Sequence, residues 1–117
     1  MTTPAHHNTA DLYAGRGGIY RGSVDPDNLP GWHTYAVTAS DKAGLLAALA
    51  REMSLPSYFG RNLDALWDVL TDLTEPTAVL WTGWADLAIA QPRDWAIVLD
   101  LFSERTRLTP PFALVLV

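Results

Sequence analysis

Asp64, Asp68 and Asp72 recur every fourth residue, and they are the side chains of this sequence best spaced to act together. On a helix that advances about 100° per residue, each step of four turns the next carboxylate by about 40°, so the three form a slowly winding acidic stripe. Leu63, Leu66, Trp67, Leu70 and Leu73 fall on the opposite, apolar face. The stripe works against the helix that carries it, because like charges at i and i+4 cost roughly 0.2 to 0.5 kcal/mol per pair and aspartate is a poor helix former. The helix dipole favours Asp64 in the first turn, but Asp68 lies mid-helix and Asp72 near the C-terminal end, where an anion is disfavoured. A solvated polar face is the plain explanation for three such acids. Tyr58 and Phe59, in a turn ended by Gly60 just before the helix, tip the weighing, since exposed aromatics beside desolvatable acids are the composition of a binding hot spot. The chemistry indicated is recognition: carboxylates offered to a cationic partner.

Other constellations do not compete. The chain has no cysteine, which excludes disulfides, a thiolate nucleophile and a cysteine zinc site, and makes the reducing cytoplasm the simple expectation. Gly15, Gly17, Gly18 and Gly22 miss the dinucleotide fingerprint, because Tyr20 stands in place of the third glycine. They also miss the phosphate-loop spacing, because Ser23 follows Gly22 with no lysine. His6 and His7 diverge on any regular element, and His33 has no carboxylate at metal-ligand spacing. No serine sits in a nucleophile elbow. No metal site, no organic cofactor and no catalytic residue is therefore expected. Thirteen acids against eight bases give a formal charge of −5, which argues against nucleic acid as a partner, since phosphate contacts need a basic patch. Residues 1–10 carry neither a positive n-region nor an apolar h-region, and apolar runs such as Phe112 to Val117 are far too short to span a bilayer, so no membrane partner is expected.

The elements that must position the stripe are readable from Trp32 onward. His33 to Thr38 alternates as a strand, and Ser40 is placed to cap a helix over about 41 to 53 in which Leu45, Leu46, Leu49 and Met53 recur. Asn62 can cap the acidic helix. Thr77 to Thr82, a continuous apolar run between Pro76 and Gly83, has the pattern of a strand buried on both faces. A short helix at about 84 to 90 follows. Asp94 then caps a helix with apolar stripes at Trp95, Val98, Leu99, Phe102 and at Ile97, Leu101, and Phe112 to Val117 forms a last, wholly apolar strand. This alternation specifies an α/β fold with a small three-stranded parallel sheet, right-handed crossovers and packed helices over residues 32–117. Residues 1–31, rich in glycine and proline, read as an irregular N-terminal extension with one short extended piece at Ile19 to Val24.

The seventeen residues LPSYFGRNLDALWDVLT, Leu55 to Thr71, resemble the signature segment of the barstar family, intracellular protein inhibitors of secreted bacterial ribonucleases. The resemblance extends more weakly from about Trp32 to Val117 and leaves residues 1–31 outside it. It implies three parallel strands packed with helices, as the patterning does. It also implies that the acidic helix and its preceding loop cover a ribonuclease active site, one to one, with carboxylates standing in for RNA phosphates. Carried over by position, Asp68 would be the central phosphate mimic facing catalytic arginine and histidine residues, with Asp64 beside it. Tyr58 would pack near the catalytic histidine, and Trp67 would support the helix at the border of its apolar face. The stretch LDLFSERT resembles a segment with one further acidic contact, here Glu104, for which a surface pair with Arg107 is an equal alternative. The expected partner-binding set is Tyr58, Asn62, Asp64, Trp67, Asp68, Asp72 and Glu104. Two departures bear on specificity: Asp72 and Leu73 replace a glycine and an aromatic, and Arg61 replaces an acid.

Two other functions stand beside this one. The same scaffold could serve as an immunity or regulatory module against a cationic partner that is not a ribonuclease. Alternatively, Asp64 and Asp68 could form an acid/base pair beside a Trp67 and Tyr58 sugar platform, which would need a concave cleft.

Overall fold

The computed structural model describes residues 6–57 and 59–117 of the chain. A two-residue strand β1 (His6–His7) leads into a short helix α1 (Thr9–Tyr13), whose cap Asn8 accepts a hydrogen bond from the Ala10 amide. Strand β2 (Gly18–Arg21) and a 3-10 turn at Pro26–Asn28 follow. Then come β3 (His33–Thr38), α2 (Lys42–Glu52), α3 (Leu63–Thr71), β4 (Thr77–Thr82), α4 (Trp84–Ala90), α5 (Pro92–Arg105) and β5 (Phe112–Leu116).

The sheet is wholly parallel, but it is larger than the three strands expected. Four strands of four to six residues run in the order β2-β5-β4-β3, and β1 adds a two-residue edge beyond β2. The added strand β2 comes from the glycine-rich leader, where Ile19 and Tyr20 pair in register with Leu114 and Val115. The extended piece expected at Ile19 to Val24 is thus real but shorter and earlier. Gly17 explains the close approach, since a Cβ there would sit 2.7 Å from the Phe112 carbonyl oxygen.

Alternation along the strands divides the interior in two. Val79 and Trp81 of β4 and Phe112, Leu114 and Leu116 of β5 face a core with Leu45, Leu49, Leu66, Leu70, Val98 and Phe102 from the helices. Ala78, Leu80, Ala113 and Val115 face the other way, onto Leu12, Tyr20, Leu29 and Trp32. The leader therefore covers the second face of the sheet, pinned by the Trp32 indole donating to the Leu12 carbonyl at 2.8 Å. That cover is why β4 and β5 are apolar at nearly every position, the pattern of strands buried on both faces.

Two helix starts differ from the sequence expectation. Asp41, not Ser40, caps α2, its carboxylate accepting from the Gly44 amide at 2.6 Å. Helix α5 begins at Pro92, whose fixed φ suits a first helical turn. Asp94 lies inside that turn, with its carboxylate 3.7 Å from the Lys42 ammonium.

Candidate functional site

Helix α3 is held to the body of the molecule by Leu66 and Leu70, both fully buried in the helix-side core, with Leu63 and Leu73 packed against it. Its N-terminus is capped as the sequence indicated. The Asn62 side-chain oxygen accepts from the Ala65 amide at 2.8 Å, and its amide nitrogen donates to the Gly60 carbonyl at 3.2 Å. Asn62 thus ties the preceding loop to the helix as well as satisfying one orphan donor. The loop is entered and left through two residues in the left-handed region, Ser54 at φ 52° and Arg61 at φ 48°.

The opposite face of α3 is open. Asp64, Asp68 and Asp72 are all exposed, and among the described residues none of them has a basic partner. Asp68 and Asp72 line one concavity of about 350 Å³, between Ala65 and Val69 of the helix and Pro56, Phe59 and Gly60 of the loop. Asp64 is not among the residues that line this concavity. Asp72 also borders a second hollow of about 250 Å³ against the sheet edge, with His33, Tyr35 and Glu75. There the His33 Nε2 pairs with the Glu75 carboxylate.

Trp67, which periodicity puts on the apolar face, is half-buried. Glu104 is exposed on α5 and its carboxylate meets the Arg107 guanidinium at 3.1 Å, which is the alternative weighed for it. Tyr58 lies outside the described residues. Among the described residues, no group of three histidine, cysteine, aspartate or glutamate side chains is placed to hold a metal ion. Likewise, no described helix is long and apolar enough to cross a membrane.

One residue of the site escapes sequence reasoning. Arg105 is 1 % exposed, and its Nε donates to the Leu70 carbonyl at 2.7 Å, satisfying an acceptor near the end of α3 from a neighbouring helix. Its guanidinium carbon lies 5.6 Å from the Phe112 ring centroid, while Nη1 and Nη2 are buried without a hydrogen-bond partner among the described residues. Burial lowers its pKa below the ordinary arginine value. A cation under the C-terminal turn offsets the unfavourable helix end at which Asp72 sits. The bond also places the Glu104 turn of α5 against the acidic helix. The available signal was that Val98, Phe102 and Arg105 share one buried stripe, an unusual place for an arginine.

Comparison with known proteins identifies the family of the chain. The family model described as "Barstar (barnase inhibitor)" matches residues 33–116, which begins at the first residue of β3 and ends at the last of β5. Among curated proteins, the Bacillus subtilis (strain 168) protein named "Putative ribonuclease inhibitor YrdF" is 44 % identical over 41 residues. That match covers 35 % of this chain and 33 % of the relative.

Proposed function

The chain belongs to the barstar family, and from that membership we propose that it is an inhibitor that occupies the active site of a bacterial, barnase-type ribonuclease. The observation that carries the reading is the open face of α3: three exposed carboxylates without a basic partner among the described residues, two of them in one concavity beside an aromatic-bearing loop. Carboxylates left unpaired on a helix that they destabilise are explained by a partner that supplies the opposite charge. A ribonuclease must be cationic where it holds phosphate, so such a face gains both steering toward the enzyme and complementarity once docked. The acids take the places of RNA phosphates, and the inhibitor closes the site one to one without itself being an enzyme.

In this account Asp68 meets the catalytic cations and Asp64 stands one turn earlier. Tyr58 supplies the aromatic contact, Trp67 supports the helix beneath it, and Asn62 holds loop and helix in register. Glu104 contributes from the adjacent helix at the expense of its pair with Arg107, an exposed pair worth about 0 to 1 kcal/mol. Alanine scanning by direct binding to such a ribonuclease tests the assignment. Asp68→Ala and Tyr58→Ala should weaken binding by roughly a hundredfold or more, Asp64→Ala and Glu104→Ala less, and Asp72→Ala least. A scan in which Asp72 dominates would show that the interface is centred elsewhere on α3.

A further inference from the structure

The loop from Leu55 to Arg61 has a second side. Away from Asp68 it borders another concavity, of about 320 Å³, which shares Pro56 and Phe59 with the acidic one. Its remaining lining joins an apolar part, Ala47, Ala50 and Leu55, to Ser57 and two cations, Arg51 and Arg61. Arg61 has no ion-pair partner among the described residues. The Arg51 side chain is 70 % exposed and reaches only its chain neighbour Glu52, at 3.5 Å, an exposed contact of little worth. Two of the eight basic residues in an acidic chain thus line one hollow directly beside the acidic face, with no carboxylate among the lining residues.

We propose that this hollow receives a carboxylate of the same protein partner whose cationic site meets Asp68, so that the inhibitor reads the enzyme by a paired pattern, acid to base on one side of the loop and base to acid on the other. The inference rests on the inhibitor reading and adds the chemistry of the partner's neighbouring surface. Pro56 and Phe59 are common to both hollows, so a protein broad enough to cover one covers the other. Covering two guanidinium groups without a counter-charge is costly, which makes an acidic group on the covering surface the complementary one. A nucleic-acid phosphate is disfavoured here, because its flanking phosphates would lie beside Asp64, Asp68 and Asp72.

The test turns on a sign. Replacing these arginines makes the face more anionic, so attraction to a cationic enzyme alone predicts equal or tighter inhibition. A facing carboxylate predicts the reverse. Inhibition of a barnase-type ribonuclease should be titrated with the wild-type protein, Arg61→Gln, Arg61→Lys, the double variant R51E/R61E, and Asp68→Ala. The expected result is an inhibition constant raised at least about tenfold by the double reversal, raised less by Arg61→Gln, and largely kept by Arg61→Lys. Both side chains are exposed, so thermal unfolding should stay where it is in wild type. Equal or tighter inhibition by the folded double variant overturns the inference while leaving the part of Asp68 intact. A folded wild-type protein that inhibits no better than Asp68→Ala overturns the inhibitor reading itself, and the inference with it.

Discussion

Some surface carboxylates of this protein are paired, and others, Asp27, Asp86 and Asp100 included, have no ion-pair partner among the described residues. What marks α3 is that three open acids are gathered along one helix. Asp11, Glu75, Asp94 and Glu104 each meet a cationic or imidazole side chain, whereas Asp64, Asp68 and Asp72 meet none among the described residues. The capping role of Asn62 was legible because a cap is a local matter, settled by a side chain and an amide three residues on. Arg105 was not, because its partner Leu70 lies 35 residues away and only the tertiary fold brings the two together. Tyr20 is a similar case: fully buried, with its hydroxyl donating to the Arg16 carbonyl at 2.5 Å. Burial, and secondarily the Asp11 charge, raises its pKa above the ordinary 10.0. The folded state therefore keeps the phenolic proton that the unfolded chain releases, so this stabilisation is complete below pH 10 and is lost as pH rises from there toward the folded-state value. Alkaline unfolding followed by circular dichroism should show stability falling above about pH 10. In Tyr20→Phe that fall should be shallower, and an identical pH profile for the two proteins would contradict the assignment.

Helix α3 must stay folded while carrying three acids that oppose it, and its buried side supplies the compensation. Leu66→Ala or Leu70→Ala should cost roughly 2 to 5 kcal/mol by opening a cavity in a fully packed core. Asn62→Ala should cost about 1 kcal/mol through the lost cap. Asp64→Ala, Asp68→Ala and Asp72→Ala should leave stability unchanged or slightly raised. Urea unfolding checks all of these, and a destabilising Asp68→Ala would mean that its carboxylate has a structural use. The helix itself was readable from its period, β3 from alternation and β4 from a continuous apolar run between Pro76 and Gly83. Two caps were misplaced, Ser40 for Asp41 by one residue and Asp94 for Gln91 by three. Ser40 and Asp41 are adjacent and equally competent to cap, whereas α5 starts earlier because Pro92 suits a first helical position without a side-chain cap.

The whole molecule is organised about two cores, one on each face of the sheet, and only one of them is made by helices α2 to α5. The continuous apolar runs of β4 and β5 already required cover on both faces. What hid the second cover was its form: Leu12, Leu29 and Trp32 are single apolar residues scattered through a glycine- and proline-rich leader, with no period to betray them. The family match starts at residue 33, so this half of the packing lies N-terminal to the matched region. A chain beginning at Gly31 should lack a cooperative unfolding transition at the wild-type denaturant midpoint. It loses Leu12, Ile19 and Leu29 from the interior, each worth roughly 1.5 to 3 kcal/mol of burial, against a total stability of about 5 to 15 kcal/mol. An unchanged midpoint would show that the leader is dispensable to the fold. The central claim, that the open acidic helix substitutes for RNA phosphates, is tested most directly by titrating the intact protein into an RNA-cleavage reaction of a barnase-type ribonuclease, beside Asp68→Ala, at low and moderate salt. Activity should fall linearly to zero at one equivalent of wild-type protein, with association slowed by salt and inhibition lost in the variant. Full RNA cleavage in the presence of excess folded wild-type protein, or equal inhibition by Asp68→Ala, would contradict it.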